Sequence, residues 1–451
     1  MANCTMSNIH RIWIYRGLVA LGLVLAFLLT LAIPQHMKEN NDWSLQYAVQ
    51  NFADGQLTID KNTFDLQNAE AHTHDASLDQ YVQVESKRWA YTEAPGYVFY
   101  LLPFYYMHVL ALGNWLLAIG MAVVVYLLLK HLKDERVACF GALLWLFSPV
   151  ALAMLQRAYS STFASAAFLG MGGGLYIYYC LRRSELSRWA AWGLLSLSGL
   201  GLGWSIFVNY ANILVVAVFL LHFTYLQLRL YLNGQRKIAA WSPLWFCFSL
   251  LLPLVGLLIY QDAVFDSLFR FGFQYAELPV SFGWQFIQVN IKQVVVAWLI
   301  GFPLLVPGLA ALVWALCLRF HGKMFSDDLL LLCAGWVLAV FGVYLTYEWT
   351  ATSNMVGMPF IMLACYTLPG LLPLTLLSAQ WLNQLSRRAL LWVAIPLLIW
   401  GVVFFAQSAL AYPEVPVNPL NPWRRSTIQL QDSFHEGYFS VASIAGGDVD
   451  V

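Results

Sequence analysis

Long apolar runs separated by short polar breaks make up most of the chain. A run of about 18 or more such residues is enough to cross a hydrocarbon core of about 30 Å as helix. The pattern predicts about eleven spans, at residues 13–33, 113–131, 137–155, 160–181, 189–208, 211–231, 241–260, 293–319, 328–347, 355–380 and 389–410. Three breaks are long: a first loop at 34–112, a second at 261–292, and a tail at 411–451. The expected fold is an all-α polytopic membrane protein, one transmembrane domain over 1–410 followed by a short tail. The run at 16–33 is followed by Pro34-Gln35-His36-Met37-Lys38, which lacks a small-residue cleavage pattern, so it reads as a retained first span.

Smaller features refine this outline. The segment Pro95–Leu110 is apolar and aromatic, carries Pro103 and His108, and is too short to span, which fits a helix lying in the membrane interface. Tyr97, Tyr100, Tyr105 and Tyr106 would then sit at headgroup depth. Glycines cluster at 170–174 and at 199–203, where small residues let helix backbones approach closely. Pro413, Pro416, Pro419 and Pro422 disfavour helix in the tail and suggest an extended strap. No internal repeat is visible, so the symmetry common in secondary transporters has no support.

Composition agrees with a membrane protein: 60% of residues are hydrophobic, 16% aromatic and only 11% charged. A net charge of zero gives no basic balance that would point to nucleic acid. Charge distribution supplies an orientation. With alternating sides, 15 of the 24 Lys and Arg fall on one side in short loops, among them Arg16, Lys130, Arg182, Arg229 and Arg388. The positive-inside rule makes that side cytoplasmic, with the N-terminus inside and the tail outside. The outer loops contain no cysteine, so no disulfide framework is expected there.

Charges near membrane depth on the outer side are costly and therefore informative. The cations there are Arg157, Arg270 and Lys292. A phosphate at this interface would want such groups, because guanidinium matches phosphate oxygens in a two-pronged fashion. The plainer alternative is that each snorkels to the headgroups. Asp42, Glu93, Asp262, Asp266 and Glu348 are the acids to weigh, with Tyr159 a further outer-face candidate. A carboxylate within hydrogen-bond reach of a hydroxyl can act as its general base, although an isolated acid can equally be a solvated helix end. His72, His74 and Asp75 have ligand-type side chains at close spacing, as a divalent metal would need, but a polar loop also produces such clusters by chance. No phosphate-cradling glycine loop, nucleophile elbow or Cys-x-x-Cys pair is present.

Taken in order, these features resemble the integral membrane glycosyltransferases with the C-type fold, a superfamily that includes the protein O-mannosyltransferases and the aminoarabinose transferase of lipid A. The likeness lies in a first span followed by Asp42-Trp43, then Gln46 to Leu57, then Tyr91-Thr92-Glu93-Ala94-Pro95-Gly96 and an aromatic segment ending near Pro103-Phe104-Tyr105. Ser148-Pro149 and Arg157 follow at the outer end of the third span. It covers residues 10–180 by motif and the remainder by span count. The resemblance implies a polyprenyl-phosphate sugar as donor, a hydroxyl-bearing acceptor, no resident cofactor beyond a possible divalent metal, and inversion at the sugar on the outer face of the membrane. A bacterial inner membrane is the expected location, although compact loops also occur in endoplasmic reticulum enzymes. The resemblance implies Asp42 as the base and cations at the lipid phosphate, so Asp42 and Glu93 are the expected catalytic residues and Arg157, Arg270 and Lys292 the expected phosphate-binding ones. Two departures stand out. Ala158-Tyr159-Ser160-Ser161-Thr162-Phe163 lacks the second acid that relatives often carry, and Asn354-Met355-Val356-Gly357-Met358-Pro359 lacks the arginine of a late motif. A catalytically degenerate member that binds a polyprenyl lipid or a partner protein is therefore the alternative, followed by a transporter.

Overall fold

The computed structural model describes residues 2–32, 35–36, 40–72, 77–78, 80–84, 88–157, 159–234, 236–275, 282–302, 304–317, 327–347, 365–410 and 416–417. Among the described residues, eight helices are long and apolar enough to cross a membrane. They lie within α1 (Ala2–Ala32), α5 (Leu110–Leu132), α8 (Ser161–Arg182), α9 (Arg188–Val208), α10 (Asn212–Leu232), α11 (Arg236–Phe265), α15 (Asp327–Thr346) and α17 (Arg387–Leu410). Continuous hydrophobicity finds these because lipid offers the backbone no hydrogen-bond partner, so the helix must stay unbroken across the core.

The other three expected spans are not single straight helices among the described residues. The one at 137–155 is two helices, α6 (Glu135–Leu146) and α7 (Pro149–Gln156), bent by 55°. Pro149 starts the second piece, and the residue before a proline is pushed out of helical geometry; Ser148 has ψ 130. Its hydroxyl donates to the Gly301 carbonyl at 2.8 Å. The stretch at 293–319 divides into α13 (Trp284–Gly301) and α14 (Leu305–Cys317) at Phe302, which precedes Pro303. Of 355–380, the described part is a 3-10 turn at Cys365–Gly370 running into α16 (Leu371–Gln384).

Local signals explain several boundaries. The Asp134 carboxylate caps α6 by accepting from the Val137 N–H at 2.8 Å, and the Ser160 and Ser187 hydroxyls do the same for α8 and α9. The glycine clusters serve close packing. A Cβ on Gly172 would lie 2.6 Å from the Leu202 backbone nitrogen of α9, so only glycine allows that approach.

The first loop contains more than helices. It holds α2 (Asn40–Ala53), α3 (Lys61–His72) and α4 (Gly96–Tyr106), together with an antiparallel sheet of β2 (Thr58–Asp60), β4 (Arg88–Tyr91) and β3 (Tyr81–Val84) in that spatial order. Thr58 pairs with Ala90 and Tyr81 with Tyr91. The sheet departs from an all-α expectation. The Phe64 ring of α3 stacks on Trp89 at 3.8 Å, closing one face of the sheet. Beside α1, β1 (Gln35–His36) pairs with β5 (Pro416–Val417) of the tail.

Candidate active site

Asp42 lies in the first turn of α2 and is almost fully buried. Arg157 follows the last turn of α7, a helix whose eight residues are all buried. One guanidinium nitrogen of Arg157 donates to a carboxylate oxygen of Asp42 at 2.6 Å, with side-chain exposures of 13% and 4%. Removing either ion from water costs several kcal/mol, which only good geometry between the two can offset. The pair is therefore a high-stakes contact, placed where α2 meets the junction of α7 and α8.

Around it sit groups that can donate or accept hydrogen bonds without carrying charge. The Asn114 side-chain amide donates to the Arg157 carbonyl at 2.7 Å. Its oxygen accepts from the Tyr97 hydroxyl at 2.9 Å. Tyr159 is buried beside Tyr97. Burial pushes the Tyr97 and Tyr159 hydroxyls far above the ordinary tyrosine range, and the Asp42 carboxylate adds to both shifts. Both rings thus present neutral hydroxyls next to the ion pair.

Glu93 belongs to a neighbouring cluster. It accepts from the Tyr91 hydroxyl at 2.8 Å. Burial pushes up the hydroxyl of Tyr210, from the turn between α9 and α10, and the Glu93 charge adds to that shift. The Tyr210 hydroxyl accepts from Gln261 of α11 at 2.7 Å, and its ring lies 4.6 Å from Phe271. Arg270 precedes Phe271 and is exposed. Gly272, at the start of α12 (Gly272–Tyr275), presses against Thr92. Arg270 is thereby placed near the Thr92–Glu93 segment. Three residues separate Glu93 from Tyr97, so α4 links the two clusters.

The remaining candidates are placed less fully. Lys292 lies on α13, two residues after Asn290, and its side chain is outside the described residues. The Asn290 amide donates to the carbonyls of Leu345 and Tyr347, both at 2.8 Å, holding the end of α15 against α13. Glu348 itself lies outside the described residues, as do His74 and Asp75. His72 is exposed on α3 and contacts the Asn68 amide at 3.2 Å. Among the described residues no three His, Cys, Asp or Glu side chains gather as metal ligands. Asp262 and Asp266 are exposed.

The sequence pattern marks Tyr97 only as an interfacial ring and assigns Asn114 no role. The signal was present: an asparagine near the start of a 23-residue apolar helix is expensive unless its amide is bonded.

No sequence-family profile matches the chain, and no curated protein matches it. Solved structures do. ArnT from Cupriavidus metallidurans bound to undecaprenyl phosphate superposes with a TM-score of 0.54 at 14% identity, over 91% of this chain and 77% of that one. The Archaeoglobus fulgidus oligosaccharyltransferase, tethered to an acceptor peptide, gives 0.53 at 12% identity, over 90% of this chain and 56% of that one. Both are membrane glycosyltransferases of one fold. With its apolar helices and this shared architecture, the chain is an integral membrane protein with the C-type glycosyltransferase fold.

Proposed function

We propose that the protein transfers a sugar from a polyprenyl-phosphate donor to a hydroxyl acceptor at the outer face of a bacterial inner membrane, with inversion at the anomeric carbon. The observation that carries this is the buried Asp42–Arg157 pair. In this reading Asp42 takes the proton of the acceptor hydroxyl, whose oxygen attacks the anomeric carbon. The bond from that carbon to the phosphate oxygen breaks, and polyprenyl phosphate leaves. Arg157 stabilises the charge that builds on the departing phosphate. Phosphate and Asp42 compete for one guanidinium, so donor binding opens the carboxylate oxygen to the acceptor. A single in-line displacement inverts the sugar.

Glu93, Arg270, Lys292, Tyr159 and Glu348 are further residues proposed for the same face. The undecaprenyl phosphate in the ArnT structure supports a lipid phosphate as ligand.

The experiment is to reconstitute the protein in nanodiscs and measure both binding of undecaprenyl phosphate and transfer from polyprenyl-phosphate sugars, for the wild type and Asp42→Asn. Full transfer by Asp42→Asn would remove the proposed base. One feature favours the second reading, a lipid-binding protein without transferase activity: no acid occurs between Ala158 and Phe163, just after Arg157. Lipid binding without transfer from any donor would decide for it.

A further inference from the structure

We propose that Tyr97 and Asn114 are positioning residues that clamp the α7–α8 junction so that Arg157 presents its guanidinium to Asp42. The consequence for lipid phosphate rests on the reading of Arg157 given above.

Asn114 is fully buried in α5, where an unbonded amide is costly. Both ends of its side chain are used. The nitrogen reaches the Arg157 carbonyl at 2.7 Å, and the oxygen accepts from Tyr97 at 2.9 Å. The Ser160 hydroxyl accepts from the Phe163 N–H at 3.2 Å and so caps the start of α8. The Arg157 side of the junction is therefore held by a relay from α4 through α5: Tyr97 donates to Asn114, and Asn114 donates to the Arg157 carbonyl.

Arg157 itself has left helical geometry, with ψ 124, so no intrahelical bond fixes its carbonyl. That job falls to Asn114. A residue whose backbone is pinned loses less freedom when its side chain docks on a partner, which is how a supporting contact sharpens a site.

Another buried amide serves as control. Asn212 of α10 donates to the Ser165 hydroxyl and the Ser205 carbonyl, both at 2.8 Å, and so ties α8, α9 and α10 together. It supports the bundle without touching Arg157 in any described contact.

The test uses purified full-length protein. The coupling between Asp42→Asn and Arg157→Gln is measured by a double-mutant cycle in thermal unfolding, in four backgrounds: wild type, Tyr97→Phe, Asn114→Leu and Asn212→Leu. The coupling is expected to fall by about half or more with Tyr97→Phe or Asn114→Leu and to persist with Asn212→Leu. Equal coupling in all four backgrounds overturns the clamp. Tyr97→Phe keeps the ring and removes one hydroxyl, so it stays informative if Asn114→Leu does not fold. Binding of undecaprenyl phosphate is then measured in nanodiscs. Tyr97→Phe should weaken it about fivefold, the affinity equivalent of one net hydrogen bond, whereas Asn212→Leu should lower the melting temperature alone. Unchanged affinity in Tyr97→Phe and Asn114→Leu overturns the positioning role. A wild type that ignores the lipid, with coupling behaving as expected, overturns the lipid reading and upholds the clamp.

Discussion

A guanidinium nitrogen of Arg157 lies 2.6 Å from a carboxylate oxygen of Asp42, across 115 positions of sequence. The bend between α6 and α7 sets the direction from which Arg157 arrives, and the first turn of α2 holds Asp42 to meet it. Burial makes the contact sensitive in both directions. It raises the electrostatic attraction between the two groups, and it raises the cost of leaving either alone.

Asp42→Asn should lower sugar transfer by about 10²–10⁴-fold, the usual contribution of a positioned acid or base. It should also cost stability, because a buried guanidinium loses its ionic partner. Transfer rates and melting temperature measured on the same preparation separate the two effects. Asp42→Ala supplies the comparison: an equal loss of transfer at a lower melting temperature assigns the rate effect to the missing base.

Arg157→Lys keeps the charge and loses the planar fork, whereas Arg157→Ala loses both. If the guanidinium binds the donor phosphate, undecaprenyl phosphate affinity should fall in the order wild type, Lys, Ala. The last step should reach about 10–100-fold, as expected for charge-assisted hydrogen bonds. Equilibrium binding in nanodiscs reads this directly. Wild-type affinity in Arg157→Ala would return the residue to a packing role.

The sequence exposes these two residues as candidates but not their contact. Charge beside apolar helix ends is costly, and that cost can be read from local pattern alone. The pairing depends on how α2 and α7 pack, which nothing within a 20-residue window encodes. The spans follow the same logic. α5, α8, α9 and α10 are legible because lipid demands unbroken apolar helix, whereas the break at Ser148 interrupts a run whose hydrophobicity continues. Pro149 marked the break, at the outer end of an expected span. The sheet in the first loop was harder to read. Its strands are three or four residues long, and Tyr81-Val82-Gln83-Val84 shows too little alternation to separate strand from loop.

Alkaline pH should unfold the protein through the buried tyrosines of the first loop and the α7–α8 junction. Burial raises the hydroxyls of Tyr81, Tyr91, Tyr97 and Tyr159 above the ordinary value of 10.0, and Glu93 adds to the effect at Tyr91. Below about pH 10 both folded and unfolded chains keep these protons, so they contribute no pH dependence. Above it the unfolded chain releases protons that the folded chain retains, and stability falls by about 1.4 kcal/mol per pH unit for each group. The melting temperature should hold level from about pH 7.5 to 9 with respect to these groups and drop steeply beyond about 10. Tyr97→Phe should make the alkaline drop shallower by one group's share.

The segment that carries Glu93 should depend on one glycine. A Cβ added to Gly272 would lie 2.5 Å from both the Cα and the carbonyl oxygen of Thr92. These are backbone atoms, which cannot swing aside as a side-chain tip can. Gly272→Ala must therefore push α12 away from the Thr92–Ala94 segment, at a cost of about 1–3 kcal/mol for overpacking. Gly193 in α9 is the contrast, since a Cβ there meets nothing within 4 Å. Gly193→Ala should be neutral or stabilising by up to about 1 kcal/mol through helix propensity. The melting temperatures of the two variants give the answer. Should both melt like the wild type, the Thr92 segment yields freely, and the clustering of Glu93 with Tyr91 and Tyr210 is too soft to hold a carboxylate in place for chemistry.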